Sequence, residues 1–373
     1  MPQPAYFLYH SIGQYPGKAD EMAAALAGFA ADWAACDDGQ WPRALAARAE
    51  FLRLWGALID APEGSLTSAE NVTSALHGVI GALPAEHLRG RRVLIAADCF
   101  PSLHFLLAGL APRFGFDLHT VPLRPGKTWV RDADMIAAWG ADVGLALLTF
   151  VTSTASHRCD LDALLAHGRK MGSLVGVDLT QGIGILPFSL AETPVDFAIS
   201  TSLKWLCGPP GAGILQMRPE LIARCRPELR GWFSQADPFA WDLDGFAYAP
   251  DVRRFDHGTP SVLACIGAVP ALRWHARQPA GSLLAHNRAL CAEIIERADA
   301  ADLALASPRA RERRGGSVML RLPKGADPAR LVARLRSAAI HADCRGPILR
   351  FSPGVVTGAG DVERLFAELA RGL

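Results

Sequence analysis

Between residues 174 and 215 two short apolar runs, LVGVD and VDFAIS, each stop at a polar residue, and the turn-rich CGPPGAG follows the second. β-Branched runs of this length bounded by turn formers read as buried parallel strands. They constrain the fold strongly, because parallel strands need a crossover between them and a sheet of them must be covered on both faces. Ligands of open α/β sheets lie beyond the carboxyl ends of the strands, which puts Asp178, the last residue of the first run, at a crevice. Lys204 follows the second run after a short Ser/Thr segment. A lysine held among glycines and apolar residues loses affinity for protons and becomes a nucleophilic amine.

The surrounding pattern agrees with such a sheet. Strands are predicted at 93–97 and 142–148, a helix at 160–171, and a further strand at 211–217, expected at an edge of the sheet. Alternation of strands and helices from about 70 to 220 predicts a doubly wound, mostly parallel sheet. Upstream, helices are predicted at 20–35 and 42–59. Downstream, helices at 262–276, 281–299, 328–340 and 361–371 alternate with strands near 316–322 and 348–352, which makes a small α+β lobe. A chain of 373 residues exceeds a usual single core, so two packed lobes are expected. The expected division is 1–40 for an N-terminal arm and helix joining the small lobe, 41–260 for a large cofactor-binding domain, and 261–373 for the small C-terminal domain.

Charge and cysteine usage narrow the function. A formal net charge of +1 offers no electrostatic basis for binding nucleic acid or an anionic membrane. The sequence shows no apolar run of 18 residues and no signal-peptide pattern at MPQPAYFLYHSIG, so a cytoplasmic protein is expected. The eight cysteines form no C-x-x-C pair and sit singly in apolar contexts, which predicts free thiols and no metal site.

The candidate chemistry follows from residue types and their places. A carboxylate at one strand end and a buried lysine after the next is the pair that pyridoxal 5'-phosphate (PLP) requires: one keeps the pyridine nitrogen protonated, the other holds the aldehyde as a Schiff base. Thr67, Ser68, Thr73 and Ser74 lead into an apolar helix from about 74, whose free N–H groups make a phosphate cup. Phe100 lies just past a strand end on the ligand side, where an aromatic ring stacks on a flat cofactor. Arg350, in GPILRFSP, is placed on a strand where it clamps a carboxylate. Residues 231–260 form a long aromatic loop of the kind that carries function.

Taken together and in order, these segments resemble the class V aminotransferase group of fold-type I PLP enzymes, and within it the kynureninases. The likeness spans nearly the whole chain: HSIGQYP (10–16), NVTSALH (71–77), CFPSLHF (99–105), VDLTQGIG (177–184), VDFAISTSLKWLCGPPGAG (195–213), RGWF (230–233), GTP (258–260) and ADCRGPILRFSP (342–353). It implies a large domain with a mostly parallel seven-stranded sheet sandwiched by helices, plus a small α+β C-terminal domain. It further implies a homodimer with active sites at the subunit interface. The implied cofactor shell is Val72, Thr73, Phe100, Asp178, Gln181, Ser202, Lys204, Trp232 and Thr259, with Thr259 reaching the phosphate of the partner subunit. Lys204 is the implied catalytic residue, and His10 and Arg350 the residues that bind the amino-acid substrate.

Departures from the kynureninase pattern bear on the reaction. Leu203 stands where that family has a tyrosine before the lysine, and Leu103 where it has the aspartate of FPSD. Gln181 replaces a histidine, as in the cysteine desulfurase branch, and His10 replaces an asparagine. The implied activity is hydrolytic Cβ–Cγ cleavage of a kynurenine-type amino acid to an aromatic acid and alanine. An aminotransferase or a cysteine-desulfurase-like C–S lyase is the alternative on the same scaffold, with Cys344 the one cysteine near Arg350. A third reading is a PLP-scaffold protein without catalysis.

Overall fold

In the computed structural model, which describes residues 4–372, the chain opens with β1 (Ala5–Tyr6), followed by α1 (Lys18–Trp33) and α2 (Gln40–Ile59). On α2 the residues Phe51, Trp55 and Ile59 recur every fourth position, so they share one face, and all three are fully buried. Each contributes roughly 1.5–3 kcal/mol by leaving water. The chain continues through β2 (Leu66–Ala69), α3 (Val72–Ile80), β3 (Arg92–Ala96), α4 (Pro101–Phe114), β4 (Asp117–Val121) and α5 (Asp132–Ala138). Then come β5 (Val143–Thr149), α6 (Leu161–Met171), β6 (Leu174–Asp178), β7 (Phe197–Thr201), β8 (Gly213–Met217) and the one-turn α7 (Pro219–Ile222).

The seven strands form one sheet in the order β2-β8-β7-β6-β5-β3-β4. Every pair from β7 across to β4 is parallel, whereas β8 runs antiparallel to both of its neighbours. β6 and β7 are buried throughout, as central strands covered on both faces must be. The strand at 211–217 is not at an edge, because β2 pairs outside it, with Thr67 opposite Leu215. The segment LTSA carries no alternating apolar pattern; the ladder offered by β8 makes it a strand. β4, with the sequence DLHTV, forms the opposite edge for the same reason. From β3 the chain goes outward to β4 and then back past β3 to β5, so the winding reverses between β3 and β5. Ligand crevices of doubly wound sheets lie at such a reversal, beyond the carboxyl ends of the strands.

The rest of the chain comprises α8 (Leu263–Ala276), α9 (Ser282–Ala300), β9 (Ala304–Leu305), β10 (Val318–Arg321), α10 (Pro328–Ser337), β11 (Ile340–His341), β12 (Asp343–Arg345), β13 (Ile348–Phe351) and α11 (Ala359–Gly372). β12, β13, β10 and β9 make a four-stranded antiparallel sheet over its own apolar cluster. Helix α10 stops at Ser337, short of the expected 340, because Ala339 turns into the left-handed region (φ 56°) and Ile340 pairs with Ala5 of β1. α8 packs on α1 and α2. No helix among the described residues is long and apolar enough to cross a membrane, and no disulfide forms among them.

Between β1 and α1 the arm crosses the Lys204 segment at close range. The Gly13 N–H donates to the Leu203 carbonyl at 3.0 Å. A Cβ at Gly13 would lie 1.8 Å from the Lys204 carbonyl oxygen, so only glycine permits this approach. Tyr9 of the same arm stacks on Trp205, the residue after Lys204, with ring centroids 5.6 Å apart.

Candidate active site

A cavity of about 740 Å3 opens beyond the carboxyl ends of β3, β5, β6 and β7, and six of the expected site residues line it: Val72, Thr73, Phe100, Asp178, Gln181 and Lys204. Asp178 is placed by the sheet itself. Its carbonyl accepts from Phe150 N–H, and Leu179 N–H next to it donates to Ile199 of β7, so the end of β6 is pinned from both sides. The carboxylate is buried and accepts the Thr180 N–H at 2.9 Å. Burial pushes its pKa up, against the close contact with Thr180 and the charge of Lys204. A cationic partner in the cavity would relieve that burial cost.

Lys204 is held by the turn that follows it. Its carbonyl accepts from Cys207 N–H at 2.8 Å, the Ser202 carbonyl accepts from Gly208 N–H, and Gly211 closes the turn with φ +88°. Among the described residues its Nζ takes no hydrogen bond or salt bridge, and it lies 5.4 Å from the centre of the Phe100 ring. Burial lowers its pKa to about 8; Asp178 opposes this shift, while Arg350 and Arg345 add to it. The amine is therefore substantially neutral near pH 8 and available as a nucleophile.

Opposite the lysine, α3 presents its N-terminus to the cavity through Val72 and Thr73. Asn71 caps it by accepting from Ser74 N–H at 2.9 Å, which leaves the N–H groups of the first positions for an anion. Sequence reasoning placed Ser202 in this shell, but its hydroxyl turns into the core, where it donates to the Ala212 carbonyl and accepts from Trp55 Nε1. Thr201, one residue earlier, lines the cavity instead, as do Ser102 at the start of α4 and Thr180. Side chains alternate along a strand, so the register of β7 carries the signal that selects Thr201 over Ser202. Leu103 is fully buried in the core beneath β3 and contributes nothing to the cavity, whereas Leu203 lines it.

His10 and Arg350 are brought together behind the cavity wall. Arg350, buried on β13, grips Asp343 of β12 with Nε (2.8 Å to Oδ1) and Nη2, and its Nη1 donates to the Ser153 carbonyl at 3.2 Å. His10 Nε2 lies 3.1 Å from Asp343 Oδ1, outside good hydrogen-bond alignment, and its Nδ1 is 2.7 Å from Ser352 Oγ. The Gln181 side chain donates to the His10 carbonyl at 3.0 Å, and both Gln181 and Ser153 line the cavity. Asp343 is the member of this group that the sequence did not single out. Arg350 is seven residues away and faces it across the β12–β13 ladder, whereas His10 is brought to it by the N-terminal arm.

Trp232 and Thr259 stand apart from Lys204 within the chain. Thr259 is exposed and borders a second, largely apolar groove of about 1140 Å3. Its loop is tied to β2 by Arg48, which donates to Asp256 and to Thr67, each at 2.8 Å. Trp232 packs within an aromatic cluster with Phe233, Phe239 and Trp241.

The cavity fits PLP on its own chemistry. It offers an unpaired lysine amine over an aromatic ring, a buried carboxylate, a free helix N-terminus, and a buried Thr180 hydroxyl with no partner. No grouping of side chains among the described residues has the makeup of a metal site.

The family model for aminotransferase class V matches residues 57–348. Kynureninase of Deinococcus radiodurans is 33% identical over 294 residues, covering 77% of this chain and 69% of the relative. Isopenicillin N epimerase of Streptomyces clavuligerus is 28% identical over 314 residues, covering 80% and 78% of the two chains. Among solved structures, cysteine desulfurase from Thermococcus onnurineus NA1 superposes with a TM-score of 0.86 at 21% identity, covering 99% of this chain and 95% of that one.

Proposed function

Because the chain belongs to the class V aminotransferase family and is PLP-dependent, we propose that it acts on an L-amino acid by kynureninase-like hydrolytic cleavage of the Cβ–Cγ bond. The observation that carries the reading is the pairing of an unpartnered Lys204 amine, its pKa lowered by burial, with buried Asp178 in one cavity, and Arg350 directly behind it. Bound in the cavity, PLP supplies an electron sink for the charge that develops at the substrate Cα. The roles of the chain's own residues follow from their places. Asp178 holds positive charge at the ring nitrogen, Phe100 covers a face of the ring, and Val72, Thr73 and Thr201 receive the phosphate at the start of α3. Lys204 anchors the cofactor and moves the Cα proton, and Arg350 receives the substrate carboxylate. In the net reaction water adds to a side-chain γ-carbonyl, the Cβ–Cγ bond breaks, and a carboxylic acid and alanine leave.

Leu203 favours a second reading. The titratable side chains lining the cavity are Glu70, His77, Asp178 and Lys204, with no tyrosine among them. A general acid is worth roughly 10²–10⁴-fold in rate, so the lack of a tyrosine beside Lys204 suits reactions in which Lys204 alone moves the proton, such as transamination or C–S cleavage. A desulfurase-like reaction needs a thiolate. Cys344 is half-buried and its pKa is raised by burial and by Asp343, which disfavours that role.

A homodimer is part of the proposal. The apolar groove beside Thr259 and the exposed Phe239, Trp241 and Leu243 are suited to covering one another across two copies. Equilibrium sedimentation checks this directly, and a monomer at micromolar concentration overturns it. The reaction is tested by incubating the PLP-loaded protein with L-kynurenine and following anthranilate fluorescence and alanine. Release of both supports the hydrolase. Conversion of the cofactor to its pyridoxamine form with L-alanine and no anthranilate supports the aminotransferase.

A further inference from the structure

We propose that His10, acting through Asp343, couples the binding of a carboxylate at Arg350 to the uptake of a proton. The proposal rests on the reading that Arg350 receives the substrate carboxylate. Arg350 is already engaged: Asp343 occupies its fork through both oxygens. A second carboxylate arriving at this fork must share or displace the first. His10 and Arg350 are buried and Asp343 is partly so, and a negative charge left without its partner there carries a desolvation cost that a compensating positive charge offsets.

His10 is the group placed to supply it. It is 2% exposed, and its Nε2 lies 3.1 Å from Asp343 Oδ1. The charged groups acting on it are Asp343 from β12, Arg350 from β13, and Lys204 from the turn after β7. Its other neighbours, Ser352 and Gln181, are neutral. In the ligand-free state burial lowers the imidazole pKa first of all, with Arg350 and Lys204 adding to the effect against Asp343, so His10 is neutral at pH 7. The burial of Asp343 is outweighed by the close approach of His10 and Arg350, which hold its carboxyl below the usual range. The pair Asp343–Arg350 is thus balanced without His10. Once a second carboxylate takes the guanidinium, Asp343 faces His10 alone, and protonation of the imidazole restores neutrality.

The hydroxyls on the far side of His10 accommodate both protonation states. Nδ1 lies 2.7 Å from Ser352 Oγ, and Ser352 Oγ lies 2.6 Å from Ser317 Oγ, where either oxygen can donate. Neutral His10 accepts at Nδ1 from Ser352. Protonated His10 donates to Ser352, which rotates its hydroxyl toward Ser317. No heavy atom need move.

The test uses the PLP-loaded protein and propionate, which has the carboxylate but no amine to react with the cofactor. Calorimetric titrations in phosphate and in Tris at pH 7.5 give the protons exchanged, because the two buffers differ in ionisation enthalpy. The expected result is uptake approaching one proton per propionate, with affinity falling as pH rises by up to about tenfold per unit. His10→Asn, carrying the residue of the resembled arm, should bind propionate several-fold more weakly at pH 6.5, without proton uptake. Asp343→Asn frees the fork and should bind more tightly, again without uptake. Wild-type binding without uptake, or uptake that persists in His10→Asn, overturns the coupling alone. Binding by Arg350→Gln equal to wild type, or no binding by wild type, overturns the carboxylate site and the coupling with it.

Discussion

The two halves of the site are built from different kinds of structure. The cofactor half takes Asp178 and Thr201 from the ends of the neighbouring parallel strands β6 and β7, where the ladder fixes each backbone to within one register, and Phe100 and Lys204 from the segments that follow β3 and β7. The carboxylate half sets Asp343 opposite Arg350 across the β12–β13 ladder, ties the arm that carries His10 to Ser352 through backbone hydrogen bonds, and reaches Ser153 and Gln181 of the large lobe only through side chains. The first is fixed by backbone geometry and carries a cost of burial on both charged groups, which a bound cofactor relieves. The second is a balanced ion pair with a neutral histidine behind it, able to rearrange when its balance changes. Substitutions should separate the two: cofactor-half variants change the visible absorbance of the cofactor, and carboxylate-half variants leave it in place and change substrate KM.

The largest effect is expected at Lys204. Lys204→Ala should lose covalent retention of PLP, so borohydride fixes the cofactor on wild type and not on the variant, and activity should fall by at least about 10³-fold. The lowered amine pKa gives a pH signature. Capture of added PLP by cofactor-free protein should rise through pH 8, whereas an exposed lysine would require a pH near 10.4. Between those two values the unfolded chain binds the proton and the folded chain does not, so the stability of cofactor-free protein should also rise with pH in that window.

Asp178→Asn comes next. It keeps the shape and the contact with Thr180 but removes the charge, and a preorganised charge of this kind is worth about 10²–10³-fold in rate. Its visible band should shift while the cofactor stays bound. Arg350→Lys should then raise substrate KM roughly 10- to 100-fold, because a single ammonium replaces a two-pronged grip, with the band unchanged. Loss of the band in Arg350→Lys would erase the distinction between the halves.

The same contrast explains what could be read from the sequence. LVGVD and VDFAIS announce buried strands by composition alone, and Asp178 and Lys204 are placed by where those runs end. β2 and β4 have no such signature, since LTSA and DLHTV become strands through the partner beside them. Ser202 and Thr201 are adjacent hydroxyl residues, and only the alternation of β7 decides which one faces the cavity. Leu103 is apolar in a core that accepts it, so the missing aspartate of that segment has no local consequence visible in the cavity lining. The contact of His10 with Asp343 joins residues 333 positions apart. No local pattern records a pairing made by the docking of the N-terminal arm on the small lobe.

Phe100 tests the smallest difference, because it belongs to the cofactor half without being held in a strand. It precedes α4 in extended backbone (φ −65°, ψ 126°), Pro101 begins the helix behind it, and the ring is 37% exposed. Large side chains this exposed contribute little to a core, in contrast to Phe150, which is 2% exposed. Replacing Phe100 with leucine should therefore leave the thermal midpoint of the cofactor-free protein almost unchanged. The ring–ring contact with the cofactor is what is lost, and such contacts are worth about 0.5–1.5 kcal/mol beyond area burial. The PLP dissociation constant, measured by absorbance on reconstitution, should rise by roughly 2- to 10-fold, with KM for the amino acid little changed. A lower midpoint with unchanged PLP affinity would make Phe100 a packing residue, and the face of the ring would then have to be covered by another side chain of the cavity.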